Sequence, residues 1–167
     1  MDRYLNLAGI VDESVVDGPG LRMAVFAQGC EHGCPGCHNP ETWEFDERMV
    51  MRVSEVLKRL DAMPHIRGIT FTGGEPFEQS QGFAALAKEC KARDINVWCY
   101  TGYTFGALLK TESHRELLEQ VDVLVDGRFM EKLKLPMTGP YKGSENQRII
   151  DVQQSLAWGL VVHQEGC

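Results

Sequence analysis

Short apolar runs alternate with amphipathic stretches along this chain, and that order restricts the fold more than any other feature. Leu21–Ala27 (LRMAVFA), bounded by Gly20 and Gly29, has the β-branched and aromatic content of a strand. Met49–Leu60 places Val50, Val53, Val56, Leu57 and Leu60 at helical spacing, and Pro64 ends that predicted helix. Gly68–Thr72 reads as a strand, Ser80–Arg93 as a helix with Phe83, Leu86, Ala87 and Cys90 on one face, and Val97–Tyr100 as a strand. A short helix over Arg115–Glu119 and strands over Val121–Val125 and Arg148–Val152 complete the pattern. Strands joined by helical crossovers pair in parallel. A closed barrel of this kind needs about 250 residues, and the chain has 167. The expectation is a single α/β domain over 1–167, an incomplete β/α barrel of about five to six units, with 160–167 as a loose tail. Ligands of such sheets gather at the C-terminal ends of the strands.

Composition narrows the class of partner. With 17 Lys+Arg against 24 Asp+Glu, the net charge of −7 argues against nucleic acid as a ligand. No apolar run approaches the roughly 18–20 residues that span a bilayer, and MDRYLNLAGIVDE lacks the apolar centre of a secretory signal. A cytoplasmic protein, neither membrane-bound nor bound to nucleic acid, is the expectation. In that reducing compartment clustered cysteines point to metal or redox chemistry rather than crosslinks.

Three of the six cysteines are clustered in Gly29-Cys30-Glu31-His32-Gly33-Cys34-Pro35-Gly36-Cys37-His38-Asn39-Pro40, directly after the Leu21–Ala27 strand. Its glycines permit a tight wrap that brings the thiols toward one point. Zinc with His32, His38 or a distant cysteine as fourth ligand, a dithiol at Cys34-Pro-Gly-Cys37, three ligand-free buried cysteines, and an iron–sulfur cluster on Cys30, Cys34 and Cys37 all fit the residue types. Three thiolates on a four-iron cube would leave one iron open to a ligand other than protein. Cys90 and Cys99 lie among apolar residues and read as core, and Cys167 as part of the tail.

Further motifs accompany this loop. Thr72-Gly73-Gly74-Glu75-Pro76 follows the Gly68–Thr72 strand, with two glycines that would let a ligand approach the backbone. Asp17-Gly18-Pro19-Gly20-Leu21-Arg22 precedes the Leu21–Ala27 strand, and Asp126-Gly127-Arg128-Phe129 and Gly143-Ser144-Glu145-Asn146-Gln147-Arg148 occur late in the chain.

Cys-x₃-Cys-x₂-Cys followed by the glycine-rich strand end resembles the radical S-adenosylmethionine (SAM) superfamily. That resemblance implies a [4Fe–4S] cluster on Cys30, Cys34 and Cys37, with SAM bound through the open iron. It also implies contacts from the backbone of Gly73, Gly74 and Glu75 to the methionine amino group, and from Gly36, Cys37 and His38 to the adenine. Many relatives have an aromatic residue where Gly36 stands, so His38 or the backbone would serve instead. The DGPG-x-R segment resembles the start of glycyl-radical activating enzymes. Together with Trp43, Thr101-Gly102-Tyr103 and the late polar loops, it resembles the activating proteins of anaerobic (class III) ribonucleoside-triphosphate reductases, from about Asp12 to Ile150. This implies reductive cleavage of SAM and hydrogen abstraction from a glycine of the reductase's large subunit, with a flavodoxin- or ferredoxin-like electron donor. A radical enzyme acting on a small molecule, similar to the deazaguanine synthases, and a zinc-bearing interaction module are the competing readings. No catalytic side chain beyond the cluster and SAM is implied, and Asp126, Asn146, Gln147 and Arg148 receive no role.

Overall fold

A computed structural model describes residues 2–136 and 139–166; Cys167 lies outside them. Seven strands form one mixed sheet: β1 (Tyr4–Ser14), β2 (Arg22–Ala27), β3 (Met49–Arg52), β4 (Gly68–Gly73), β5 (Asn96–Tyr100), β6 (Val123–Asp126) and β7 (Arg148–Asp151). Their order is β3-β1-β2-β4-β5-β6-β7, so the sheet does not close. The helices are α1 (Val53–Asp61), α2 (Ser80–Ala92), α3 (Phe105–Leu108), α4 (Glu112–Leu118) and α5 (Val152–Trp158). Among the described residues no helix is long and apolar enough to cross a membrane.

An open α/β sheet of partial-barrel type agrees with the expectation, but its parallel part is shorter than five or six units. Only β2, β4, β5 and β6 run parallel. On one side β1 and β3 are antiparallel additions, and on the other β7 returns antiparallel to β6. The parallel strands carry the near-continuous apolar runs expected of strands covered on both faces. Met23, Val25, Ile69, Phe71, Val97, Cys99 and Leu124 point into the main core beneath the helices. Trp98, Val123, Val125 and Ile149 form a second cluster on the opposite face. Cys90 and Cys99 are both in the main core, as their sequence context suggests.

Three boundaries differ from the sequence expectation. The helix predicted from Met49 begins at Val53, because Met49–Arg52 pairs with Tyr4–Leu7 of β1. Val50, assigned to the apolar helix face, is 47% exposed on that edge strand. The antiparallel β1 has no counterpart in the sequence reading; Gly9 and the acids Asp12 and Glu13 interrupt its pattern, although Leu5 and Leu7 alternate correctly and are fully buried. The segment after Gly159, expected to be loose, folds back along β7. There Asp151 N–H donates to Val162 O at 2.8 Å and Gln164 N–H to Ile149 O at 2.9 Å. This protects backbone groups at the sheet edge.

The N-terminal ends of the parallel strands are tied together by one buried cation. Arg22, 4% exposed, donates from Nε to Thr70 Oγ1 at 2.9 Å and from Nη1 to Pro19 O at 3.0 Å. Its Nη2 reaches Ile69 O, Asn96 O and Asn96 Oδ1 at 3.2, 3.1 and 2.6 Å. Burial pulls its pKa down to about 10, so the charge persists at neutral pH and is met by carbonyl dipoles rather than a carboxylate. The glycines around it have a packing reason: a Cβ on Gly68 would lie 2.6 Å from Arg22 Cζ. The Gly18–Arg22 part of the motif therefore packs at the N-terminal strand ends, opposite the cysteine loop. Replacing Arg22 by Lys keeps the charge but cannot reproduce the planar fork. The expected outcome is a loss of about 3 kcal/mol in urea unfolding of the metal-free protein, and unchanged stability would show that the fork is dispensable.

Candidate functional site

The C-terminal ends of the four parallel strands surround one cavity of about 510 Å³. The loop after β2 contributes Cys30, Cys34 and Cys37, and the end of β4 contributes Thr72, Gly73 and Gly74. Tyr100 and Thr101 come from β5, and Gly127 and Phe129 from beyond β6. The site thus follows from the topology: parallel strands place all their outgoing loops at one end.

The cysteine loop takes its shape from glycines and from backbone stitches. Gly29, Gly33 and Gly36 have φ of 109°, 59° and 74°, the left-handed region that other residues avoid. Gly29 N–H donates to Thr42 O at 2.7 Å and Cys30 N–H to Trp43 O at 3.1 Å, which pins the start of the loop against its return. Within it Cys37 N–H donates to Cys34 O at 3.1 Å, and Asn39 N–H points to Cys37 Sγ at 3.4 Å.

All three thiols line the one cavity. Three thiol donors on one cavity suit a group with several metal atoms, one to each sulfur. These donors are soft, which also fits an iron–sulfur group. Burial pushes the Cys30 thiol up to about 11 and raises Cys34 as well. Both are therefore protonated at neutral pH before metal arrives, and ligation must displace the protons. In the metal-free protein, alkylation of Cys30 by iodoacetamide should be slow at pH 7 and accelerate as pH rises toward about 11. Rapid alkylation at neutral pH, followed by peptide mass spectrometry, would contradict this environment.

The other residues singled out in the sequence divide into two groups. His38, Gly73 and Gly74 line the cavity with the thiols. His38 also meets Phe129 edge-on, with ring centroids 5.0 Å apart. Gly36 and Glu75 are not part of the lining. A Cβ on Gly36 would lie 2.8 Å from Glu131 Cδ, so its neighbour is a protein side chain. The Glu75 carboxylate, 1% exposed, is turned into the protein. It accepts from His32 Nε2 at 2.6 Å, Gly102 N–H at 2.8 Å, Phe77 N–H at 3.1 Å and the Thr101 hydroxyl at 2.9 Å.

The glycine pair has a different physical reason from ligand access. A Cβ on Gly73 would fall 2.7 Å from Ala27 N and O, and one on Gly74 would fall 2.4 Å from Gly29 O. The backbone itself is what approaches: Gly74 N–H donates to Ala27 O and Glu75 N–H to Gly29 O, both at 2.8 Å. These bonds hold the root of the cysteine loop against the end of β4. Gly74→Ala should therefore displace the loop and lower iron content per chain, together with about 1–3 kcal/mol of stability. Normal iron loading with only SAM affinity reduced would favour the ligand-access explanation.

The late polar loops are scaffolding for the far wall. Asp126 binds Arg148 through two oxygens, at 3.0 and 2.6 Å, and accepts Phe105 N–H at the start of α3 at 2.8 Å. Gln147 Oε1 accepts from Gly143 and Ser144 N–H, while its Nε2 donates to Gly127 O at 2.9 Å. Asn146 donates to Arg128 O at 2.9 Å. Sequence reasoning missed Val15, Val16, Tyr100 and Tyr141 in the lining. Val15 and Val16 sit in a polar turn with no periodic pattern to mark them.

A sheet of this topology with three thiols at its C-terminal mouth defines a class, and residues 16–150 match the family model described as a 4Fe-4S single cluster domain. More particular are relatives named anaerobic ribonucleoside-triphosphate reductase-activating protein. The one from Pasteurella multocida (strain Pm70) is 34% identical over 157 residues, covering 87% of this chain and 96% of the relative. That of Enterobacteria phage T4 is 33% identical over 140 residues, covering 80% and 86%, and that of Vibrio cholerae 36% over 147, covering 81% and 90%. The chain belongs to this family of activating proteins, within the single-cluster 4Fe–4S domains.

Proposed function

We propose that this protein is the activating enzyme of an anaerobic ribonucleoside-triphosphate reductase, generating a glycyl radical on the large subunit of that partner. The observation that carries the reading is the placement of Cys30, Cys34 and Cys37 around one cavity at the ends of the parallel strands. The family membership supports the same activity and partner. Cys30, Cys34 and Cys37 would hold a [4Fe–4S] cluster, and the backbone at Gly73–Gly74 with His38 would hold SAM. A bound cluster would supply the electron for reductive cleavage of SAM, chemistry that would end in removal of a hydrogen atom from a glycine of the reductase.

The chain's own residues bind, orient and shield. Thiolates of the loop would hold the cluster, and the hydrogen bonds from Gly74 and Glu75 N–H to Ala27 and Gly29 O fix the loop against the end of β4. The cavity mouth at the strand ends is rimmed by Val15 and Val16, which are 64% and 74% exposed. A partner that inserts a loop there would complete the wall and exclude water from the reacting atoms. A flavodoxin- or ferredoxin-like protein is the proposed electron donor, and the cytoplasm, where thiols stay reduced, the proposed location.

Anaerobic reconstitution with iron and sulfide tests the reading. Single Ala substitutions at Cys30, Cys34 or Cys37 should abolish stable four-iron loading, whereas Cys90→Ala and Cys99→Ala should retain it in whatever fraction folds. With SAM, a reductant and the reductase's large subunit, electron paramagnetic resonance should show a persistent glycyl radical. A subunit lacking the acceptor glycine should give none. Full turnover of a small metabolite with no protein partner would overturn the activating role.

A further inference from the structure

Glu75 ends a motif that points toward SAM, yet the protein itself occupies its carboxylate. Phe77 and Gly102 present backbone N–H groups to it. Thr101 Oγ1 accepts from Tyr103 N–H at 3.1 Å, so its own hydrogen goes to Glu75. A carboxylate surrounded by donors can only accept from the remaining partner. His32 must therefore carry its hydrogen on Nε2, the atom 2.6 Å from Glu75 Oε1. The other ring nitrogen, Nδ1, is buried without a hydrogen-bond partner among the described residues.

The ring is also clamped sterically. Its side chain is 5% exposed, it stands edge-on to Tyr103 at 4.7 Å between centroids, and a Cβ on Gly102 would lie 2.4 Å from its Cδ2. His32 sits midway between Cys30 and Cys34 and lines the cavity with them. Glu75 and Gly102 belong to the ends of β4 and β5, so the ring ties the first half of the cysteine loop to two strands at once.

We propose that His32 is a positioning residue through which Glu75 sets the shape of the cysteine loop, so that the Glu75 carboxylate acts on the bound group only by way of His32. The inference rests on the reading of that loop as the cluster carrier. With Nδ1 lacking a donor, the ring's orientation depends on Glu75 and Gly102. A side chain unable to donate to Glu75 cannot replace it, and one that donates from a similar position can.

Two measurements test this. In the metal-free protein, nitrogen-15 NMR of the histidine rings should show His32 as the Nε2–H tautomer. A wild-type Nδ1–H tautomer would overturn the proposal. In reconstituted protein, His32→Leu and Glu75→Gln should each weaken SAM binding about tenfold. The double variant should be no weaker than the poorer single, and His32→Gln should recover most of the affinity. Additive losses in the double variant would mean that Glu75 acts by a route other than His32, through Thr101 and Gly102 or on the ligand itself, which also overturns the proposal. Should wild-type protein form no cluster, the functional reading would fall while the tautomer result still decides the role of Glu75 in the loop. If the variants do not fold, the wild-type ring spectrum alone remains decisive.

Discussion

The end of β4 lies against the root of the cysteine loop with backbone touching backbone, and the site is organised around that contact. Two N–H groups, of Gly74 and Glu75, donate to carbonyls of Ala27 and Gly29 at 2.8 Å. A single Cβ at either glycine would break the approach. Because Gly29 is in turn bonded to Thr42, and Cys30 to Trp43, main-chain bonds hold the loop at entry and return, with the Gln28 amide adding bonds to Glu41 O and Glu44 O. Main-chain bonds are insensitive to side-chain chemistry, which leaves the thiols free to serve a ligand.

Buried charge is used at both ends of the strands, in opposite senses. Arg22 closes the N-terminal end by donating to carbonyls and a hydroxyl, and Glu75 organises the C-terminal end by accepting from amides, a hydroxyl and an imidazole. Neither has a buried partner of opposite formal charge that is always ionised. Each is stabilised by oriented dipoles, an arrangement that tolerates burial only when every hydrogen-bonding position is filled. Asp126 on the far wall instead has a charged partner, in an ion pair with Arg148 that links β6 to β7. The polar motifs of the chain are therefore largely a framework, although Asp17, Thr72, Thr101, Lys142 and Gln147 also line the cavity beside the thiols, glycines and aromatic rings.

The helices pack on one face of the sheet, and the cavity at the strand ends keeps an open mouth. That asymmetry fits an enzyme whose reacting partner is another protein, since the missing wall must come from outside. The exposed valines at the rim are consistent with a contact surface of that kind.

Much of this was legible in the residue order, and for a physical reason: periodicity reports burial. The parallel strands β2, β4, β5 and β6 are apolar on both faces, and α1 and α2 carry clear stripes, so their order implied an open parallel sheet. The cysteine spacing and its glycines marked the loop, since positive φ at Gly29, Gly33 and Gly36 is a local property. Edge structure was not legible, because β1 and β3 draw their stability from pairing with each other, and Met49–Arg52 is equally compatible with a helix. The roles of individual polar residues also lay beyond the sequence. Nothing local indicates that Glu75 faces His32 rather than the cavity, that Gly73 and Gly74 are required by Ala27 and Gly29, or that Gln147 braces Gly127. Residue order determined the sheet type and the thiol cluster through local pattern; the tertiary structure alone decided which polar groups meet, because those partners are brought together from positions far apart in the chain.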